Sequence, residues 1–246
     1  MAMSLEQPSQ NNPWFAVSIG LMGLILGFSI ASFTGSSFGF RLPAVPAAPS
    51  VPSVPTPPSD QPPESPVPEV TKDDHYRGPA DAKAVIVEYL DFECPFCHRN
   101  AETMRTVMQS YSSNVAHVVR HFPLEFHPMA MPYARASECV ASLAGENGFW
   151  KFYDAVFDPT NTAEMSEAQL PIIAKNIGVN GAKFDECYKA KAVDAKIQAQ
   201  QKAGSSAGIN GTPGIAIVNV ATKAQTRLPG AVPFTDYQAA LDPIVK

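Results

Sequence analysis

Cys94 and Cys97 stand two residues apart, directly after Ala84-Val-Ile-Val-Glu-Tyr-Leu, a short apolar run rich in β-branched residues. The run reads as a buried strand. Beyond the pair, a helical pattern continues through about Tyr111 with Ala101, Met104, Met108 and Tyr111 on one face. Strand, C-x-x-C and helix in that order put both sulfurs on the first turn of a helix. Unpaired backbone N–H groups and the positive end of the helix dipole favour a thiolate there. The spacing is that of a redox motif. Cys94, at the helix start, is the expected attacking sulfur, and Cys97, one turn in, the resolving one. Pro95 fits the first turn, where its missing N–H costs nothing. Strand alternation points Glu88 toward the interior beneath the pair, where a carboxylate can accept the resolving thiol's proton. On an edge strand the same residue would be a solvent-facing glutamate.

The rest of the C-terminal part alternates in kind. A second strand is expected at 115–122 and helices at 132–143 and 148–157. Ser166 and Gln169 form a capping-box signature before another helix, and further helices are expected around 181–190 and 192–206. Ile215-Ala-Ile-Val is strand-like, with a hairpin partner near 226–228, and Thr235 and Gln238 repeat the capping-box spacing at a last helix. The class is α/β with an inserted all-helical subdomain at about 128–206.

The first 70 residues are of another kind. Residues 14–33 carry no charge, and a helix of that length spans roughly 30 Å, the thickness of a bilayer core. A cleaved signal peptide would need a basic start and a shorter apolar stretch, and residues 1–13 hold no Lys or Arg. Of 24 prolines, eleven fall between Pro43 and Pro68, whereas all seven tyrosines lie from Tyr76 onward. Pro43, Pro46, Pro49, Pro52, Pro55 and Pro58 keep the period of three of a polyproline II rod. At about 3.1 Å per residue, 42–69 could reach roughly 85 Å. A spacer is the expected role; an SH3- or WW-type ligand would usually offer flanking basic residues. The expected organisation is a tail at 1–13, a transmembrane anchor at 14–34, a proline-rich linker at 35–70 and a folded domain at 71–246. Gly23, Gly27 and Ala31 form a small-residue stripe on the anchor, which offers a homodimer seam. Arg41 alone gives the positive-inside rule little to count.

Glu88-Tyr-Leu-Asp-Phe-Glu-Cys-Pro-Phe-Cys-His, with Gly211-Thr-Pro and the strand that follows, resembles the DsbA-like branch of the thioredoxin superfamily. Phe122-Pro-Leu-Glu-Phe-His-Pro and Ala136-Ser-Glu-Cys also resemble that branch, so the likeness covers 71–246. It implies a thioredoxin fold and thiol–disulfide exchange on exported protein substrates, with no cofactor needed for the exchange. It assigns Cys94 and Cys97 the redox roles, Glu88 the buried acid, and Thr212–Pro213 a cis peptide facing the disulfide. The chain before Pro213 would pair with an extended substrate beside Pro95 and Phe96. Reoxidation would fall to a quinone-linked membrane thiol oxidase. One departure bears on potential: strongly oxidising members carry Pro-His between the cysteines, and Phe96 cannot stabilise a thiolate as histidine does. Oxidation is the expected direction, with reduction or isomerisation as the alternative.

Cys139 and Cys187 are left as partners for one another once 94–97 pair locally. A structural disulfide implies an oxidising compartment, hence a periplasmic or extracellular domain. Other readings compete for the same residues. Cys94-Pro-Phe-Cys97-His98 also satisfies the C-x-x-C-H haem signature, with Met104 or Met129 as a second axial ligand. The preceding strand, Glu88 and Gly211-Thr-Pro oppose a cytochrome. A four-cysteine zinc site lacks a second close pair, and His75, His117 and His121 offer no metal spacing in the sequence, so no metal is expected. His98 is expected at the surface and His127 in a capping or packing role. A non-catalytic binding module is opposed by the C-x-x-C itself. Net charge −5 and a pI near 5.5 remove the basic footprint of a nucleic-acid binder.

Overall fold

The computed structural model describes residues 65–161 and 163–246. The anchor at 14–34, its small-residue stripe and the linker through 64 lie outside the described residues. Among the described residues no helix is long and apolar enough to cross a membrane.

The order is β1 (His75–Arg77), β2 (Ala84–Leu90), α1 (Pro95–Ser110), β3 (Val115–His121), α2 (Ala130–Val156), α3 (Leu170–Ile177), α4 (Gly181–Ala190), α5 (Asp194–Ser206), β4 (Gly214–Asn219), β5 (Gln225–Leu228) and α6 (Phe234–Val245). The five strands form one sheet, ordered β1-β3-β2-β4-β5. β2 runs parallel to β3, as the crossover through α1 requires, while β4 is antiparallel to β2 and forms a hairpin with β5. This is a thioredoxin-like α/β fold with a mixed sheet.

Alternation along β2 divides the core. Ala84 and Ile86 pack with Met104, Val107, Tyr237 and Leu241 of α1 and α6, whereas Val85, Val87 and Tyr89 pack with Ala116, Val118 and Ala207 on the opposite face. Glu88, in phase with Ala84 and Ile86, is thereby turned toward α1. The helices between β3 and β4 share a third core with the redox loop, joining Phe92, Cys94 and Cys97 to Phe149, Phe152, Phe157 and Phe184. Gly204 of α5 lies so close to Tyr89 that an added Cβ would sit 2.6 Å from the ring, which lets helix and sheet meet there.

The span α2 holds both helices expected at 132–143 and 148–157, separated by a kink at Gly145, whose backbone is not helical (φ 71°, ψ −170°). Several local expectations need correction. Ser166 does not cap a helix through its side chain; a 3₁₀ turn, Glu167–Gln169, precedes α3, whose first turn holds Pro171. α6 starts at Phe234, one residue ahead of Thr235, with Pro233 at the cap position. β1 carries no sequence signal because three residues cannot show a period.

Packed structure reaches back to Val67, inside the stretch expected as linker. Val67 is buried among Val85, Val218 and their neighbours, its N–H donates to Gln225 Oε1 (2.8 Å), and Gln225 Nε2 donates back to its carbonyl (3.0 Å). Arg120 holds the carbonyls of Pro68 and Glu69, each at 2.9 Å. A valine between two prolines reads as spacer until its side chain finds an apolar slot on the sheet.

Candidate active site

Cys94 occupies the N-cap of α1 in an extended conformation, and its carbonyl accepts from Cys97 N–H (2.9 Å) and His98 N–H (3.2 Å). Pro95 takes the first helical position. The helix therefore starts at the nucleophile. Both cysteines are free thiols, Cys97 with no exposure and Cys94 with 3%. Pro95 and Phe96 are exposed, Phe96 by 53%, with the Arg99 guanidinium over its ring.

The two sulfurs are driven apart in acidity. A hydrogen bond from Cys97 lowers Cys94 most; burial opposes it, and Thr212 and the backbone of Cys97 and Phe96 add to the lowering, leaving Cys94 at about 5. As a thiol, Cys94 donates to the Thr212 carbonyl (3.3 Å). The Thr212 hydroxyl has no partner among the described residues and is free to donate once the sulfur ionises. Burial pushes Cys97 far upward, with the bond to Cys94 and the Glu88 charge acting in the same direction. Thr212–Pro213 is a cis peptide, and Thr212, two residues before β4, is in contact with the nucleophile.

Glu88 is fully buried. Its Oε1 accepts from Asn100 Nδ2 (2.8 Å), and its Oε2 lies 2.8 Å from His117 Nε2 and 3.5 Å from the Tyr153 hydroxyl. Tyr237 donates to Asn100 Oδ1 (2.8 Å). Asn100, His117, Tyr153 and Tyr237 are absent from a sequence-level reading of the site. Asn100, three residues beyond Cys97 on α1, is the one whose place the helical period could have given. Asp91 closes the other side: Oδ1 accepts from Glu93 N–H (2.8 Å), and Oδ2 accepts from Leu124 N–H (3.0 Å) and His127 Nδ1 (2.7 Å). His127 thus ties the loop after β3 to the redox loop.

His98 is half-buried rather than fully at the surface. Its Nε2 bonds the Phe92 carbonyl (2.9 Å), and its ring meets Phe157 edge-on. With that nitrogen engaged, the haem-ligand role has no support in the arrangement. Cys139 and Cys187 form a disulfide joining α2 to α4.

His75, His121 and Glu138 do converge, although the sequence shows no metal spacing. Glu138 Oε1 lies 3.0 Å from His75 Nε2 and 3.0 Å from His121 Nε2, while Lys196 Nζ lies 2.9 Å from the same oxygen. His75 Nδ1 also lies 3.0 Å from Glu146, so both its ring nitrogens face carboxylates. Lys196 supplies the cation that a metal would bring. The cluster is a buried salt bridge.

A thiolate at a helix start, a neutral thiol one turn in and a buried carboxylate beneath them define a thiol–disulfide oxidoreductase. The thioredoxin family, under the description "Thioredoxin", matches residues 70–229. DsbA2 of Pseudomonas aeruginosa is similar at 27% identity, covering 71% of this chain and 96% of its own, with a TM-score of 0.58. Oxidised BdbD of Bacillus subtilis shares the fold at a TM-score of 0.63 and 18% identity, over 74% of this chain and 97% of its own. Among curated proteins, the Na(+)/H(+) antiporter NhaA 1 of Mycolicibacterium vanbaalenii is 35% identical over 141 residues, which are 57% of this chain and 22% of that protein. NhaA of Herminiimonas arsenicoxydans is 32% identical over 151 residues, 61% of this chain and 23% of its own. The chain spans about a fifth of the length of these curated relatives. It belongs to the thioredoxin family.

Proposed function

We propose that the chain oxidises thiols of exported proteins through Cys94 and Cys97, tethered to a membrane by residues 14–34. A substrate thiolate attacks Cys94 Sγ of the oxidised pair; the Cys94–Cys97 bond breaks and Cys97 leaves. A second substrate thiolate then attacks the substrate sulfur of the mixed disulfide. The substrate disulfide forms and the electron pair stays on Cys94. Thr212 and Pro213 line a groove of about 290 Å³ beside the nucleophile, suited to an extended peptide that also touches Pro95 and Phe96. A quinone-linked membrane thiol oxidase would restore the disulfide, and exchange itself needs no cofactor.

The opposed acidity of the two thiols carries this reading. A thiol at about 5 is ionised at neutral pH, which favours the reduced form by about 3 kcal/mol, or about 60 mV, over an ordinary thiol. A stabilised reduced form makes the disulfide a better oxidant. The Cys139–Cys187 disulfide supports an oxidising compartment. The antiporter relatives support a place beside a membrane, as does the uncharged stretch at 14–33. Protease accessibility of the domain in intact cells, with and without 14–34, tests the tether and its orientation.

Glutathione equilibration read by alkylation mass spectrometry tests the direction. A potential of roughly −120 to −180 mV is expected. A value near thioredoxin's roughly −270 mV overturns the oxidase reading in favour of a reductase.

A further inference from the structure

The structure assigns His117 as the group through which the proton taken up by Cys97 enters the buried site; the assignment rests on the exchange reaction above. When a substrate thiolate opens the disulfide, Cys97 leaves as an anion in a place with no exposure, where burial and the Glu88 charge both oppose that anion. It must be protonated where it stands. The Glu88 carboxylate beneath it can pass on a proton only after receiving one, and Glu88 is itself fully buried.

His117 bridges that gap. Its Nε2 is 2.8 Å from Glu88 Oε2. It also lines a cavity of about 40 Å³, with Arg77, Arg105, Asp154 and Tyr153 among its neighbours there. That volume admits a water molecule, and Arg77 and Asp154 at the rim are 36% and 52% exposed along their side chains. The ring is fixed by aromatic neighbours, with Trp150 at 5.3 Å and Tyr153 at 5.8 Å between centroids. The Arg77 guanidinium lies over Trp150 at 4.0 Å and is bonded to Asp154, so the rim charges are paired and the ring is the proton carrier of the group.

The step balances without an external oxidant or reductant. The substrate–Cys94 bond forms as the Cys94–Cys97 bond breaks, and the electron pair passes to Cys97. The ionised Glu88 takes a proton from His117 Nε2 and passes it to Cys97, and His117 regains a proton from cavity water, whose hydroxide exchanges with solvent. In the reverse direction the same atoms carry the proton out. Asn100 holds the carboxylate in place and Tyr237 holds Asn100, and both are fully buried. His117 touches neither sulfur by any hydrogen bond in the structure, so it acts through Glu88 as a proton-relay and positioning residue.

The test is the single-turnover rate of the oxidised full chain with a dithiol peptide, for the wild type, H117Q and H117A. Gln keeps a donor to Glu88 and removes the relay. H117Q should leave the reduction potential and the Cys94 alkylation profile unchanged and slow the exchange about tenfold or more. Added imidazole should restore H117A and not H117Q. A second readout needs no variant: in ¹⁵N-histidine NMR, the wild-type His117 ring should shift between oxidised and reduced forms. An H117Q rate equal to wild type, or a His117 ring unmoved on reduction, overturns the assignment. A wild type that oxidises no dithiol peptide overturns the exchange reaction itself, and the relay with it.

Discussion

Arg120 and Asp74 meet in a two-point ion pair inside the protein, with Nε donating to Oδ1 at 2.8 Å and a terminal nitrogen to Oδ2 at 2.9 Å, and both side chains 5% exposed. The remaining N–H groups of Arg120 hold the carbonyls of Pro68 and Glu69. D74A would leave the guanidinium buried without its counter-ion, and the expected cost is about 3–5 kcal/mol. Urea denaturation measures it. Limited proteolysis should find 65–70 cut in D74A and protected in the wild type, because the same arginine anchors both.

His75 and His121 flank Glu138 and titrate in opposite senses. Burial alone would lower His75, but hydrogen bonds to Glu138 and Glu146 outweigh it and raise its pKa. Its contribution to stability is complete below the unfolded value of about 6.5 and is lost as pH rises through the higher folded value. Burial lowers His121, so the contribution of its neutral ring is undiminished above about 6.5 and falls as pH drops from there. The stability difference between wild type and H75Q should therefore shrink from about pH 6 to about pH 9. Urea midpoints at the two pH values check the sign; a difference that grows with pH refutes it.

Iodoacetamide should modify Cys94 with a midpoint near pH 5 and leave Cys97 unmodified across the neutral range. C97S keeps a donor to the Cys94 sulfur and should preserve that midpoint. C97A removes the largest lowering cause, and loss of one charge-assisted hydrogen bond should raise the midpoint by about 1–2 units. T212V should raise it by less. Mass spectrometry of the alkylated protein reads all three.

Removing the Cys139–Cys187 bond as C139A/C187A opens a loop of 48 residues. The chain-entropy account puts the cost at about 4 kcal/mol at most. Stability to urea should fall by about 2–4 kcal/mol, with the reduction potential of Cys94 and Cys97 unchanged, because neither Cys139 nor Cys187 is among the groups that set the acidity of those two thiols. A shifted potential would mean that the helical insertion tunes the site.

The parts of the fold that declare themselves in the sequence are those whose period is long enough to count. The seven residues of β2, the face of α1 and the β4–β5 hairpin are legible in this way. β1 is too short for a period, whereas Gly145 marks the kink between the two helices of α2 as its sequence suggests. Val67 carries no burial signal, because its partner Gln225 comes from β5 and its apolar neighbours Val85 and Val218 from β2 and β4. The site divides along the same line. Cys94, Cys97 and Glu88 share one strand–helix unit, so their spacing is nearly their geometry. His117, Tyr153 and Tyr237 reach Glu88 and Asn100 from β3, α2 and α6, and no local rule brings those elements together.

The 3% exposure of Cys94 sets a condition on timing. A sulfur lying nearly flush with its surroundings is met only by a thiol carried on a segment supple enough to press into it. A cysteine already locked in a finished core cannot make that approach. On the oxidase reading proposed above, the reaction would favour flexible polypeptide over a finished core.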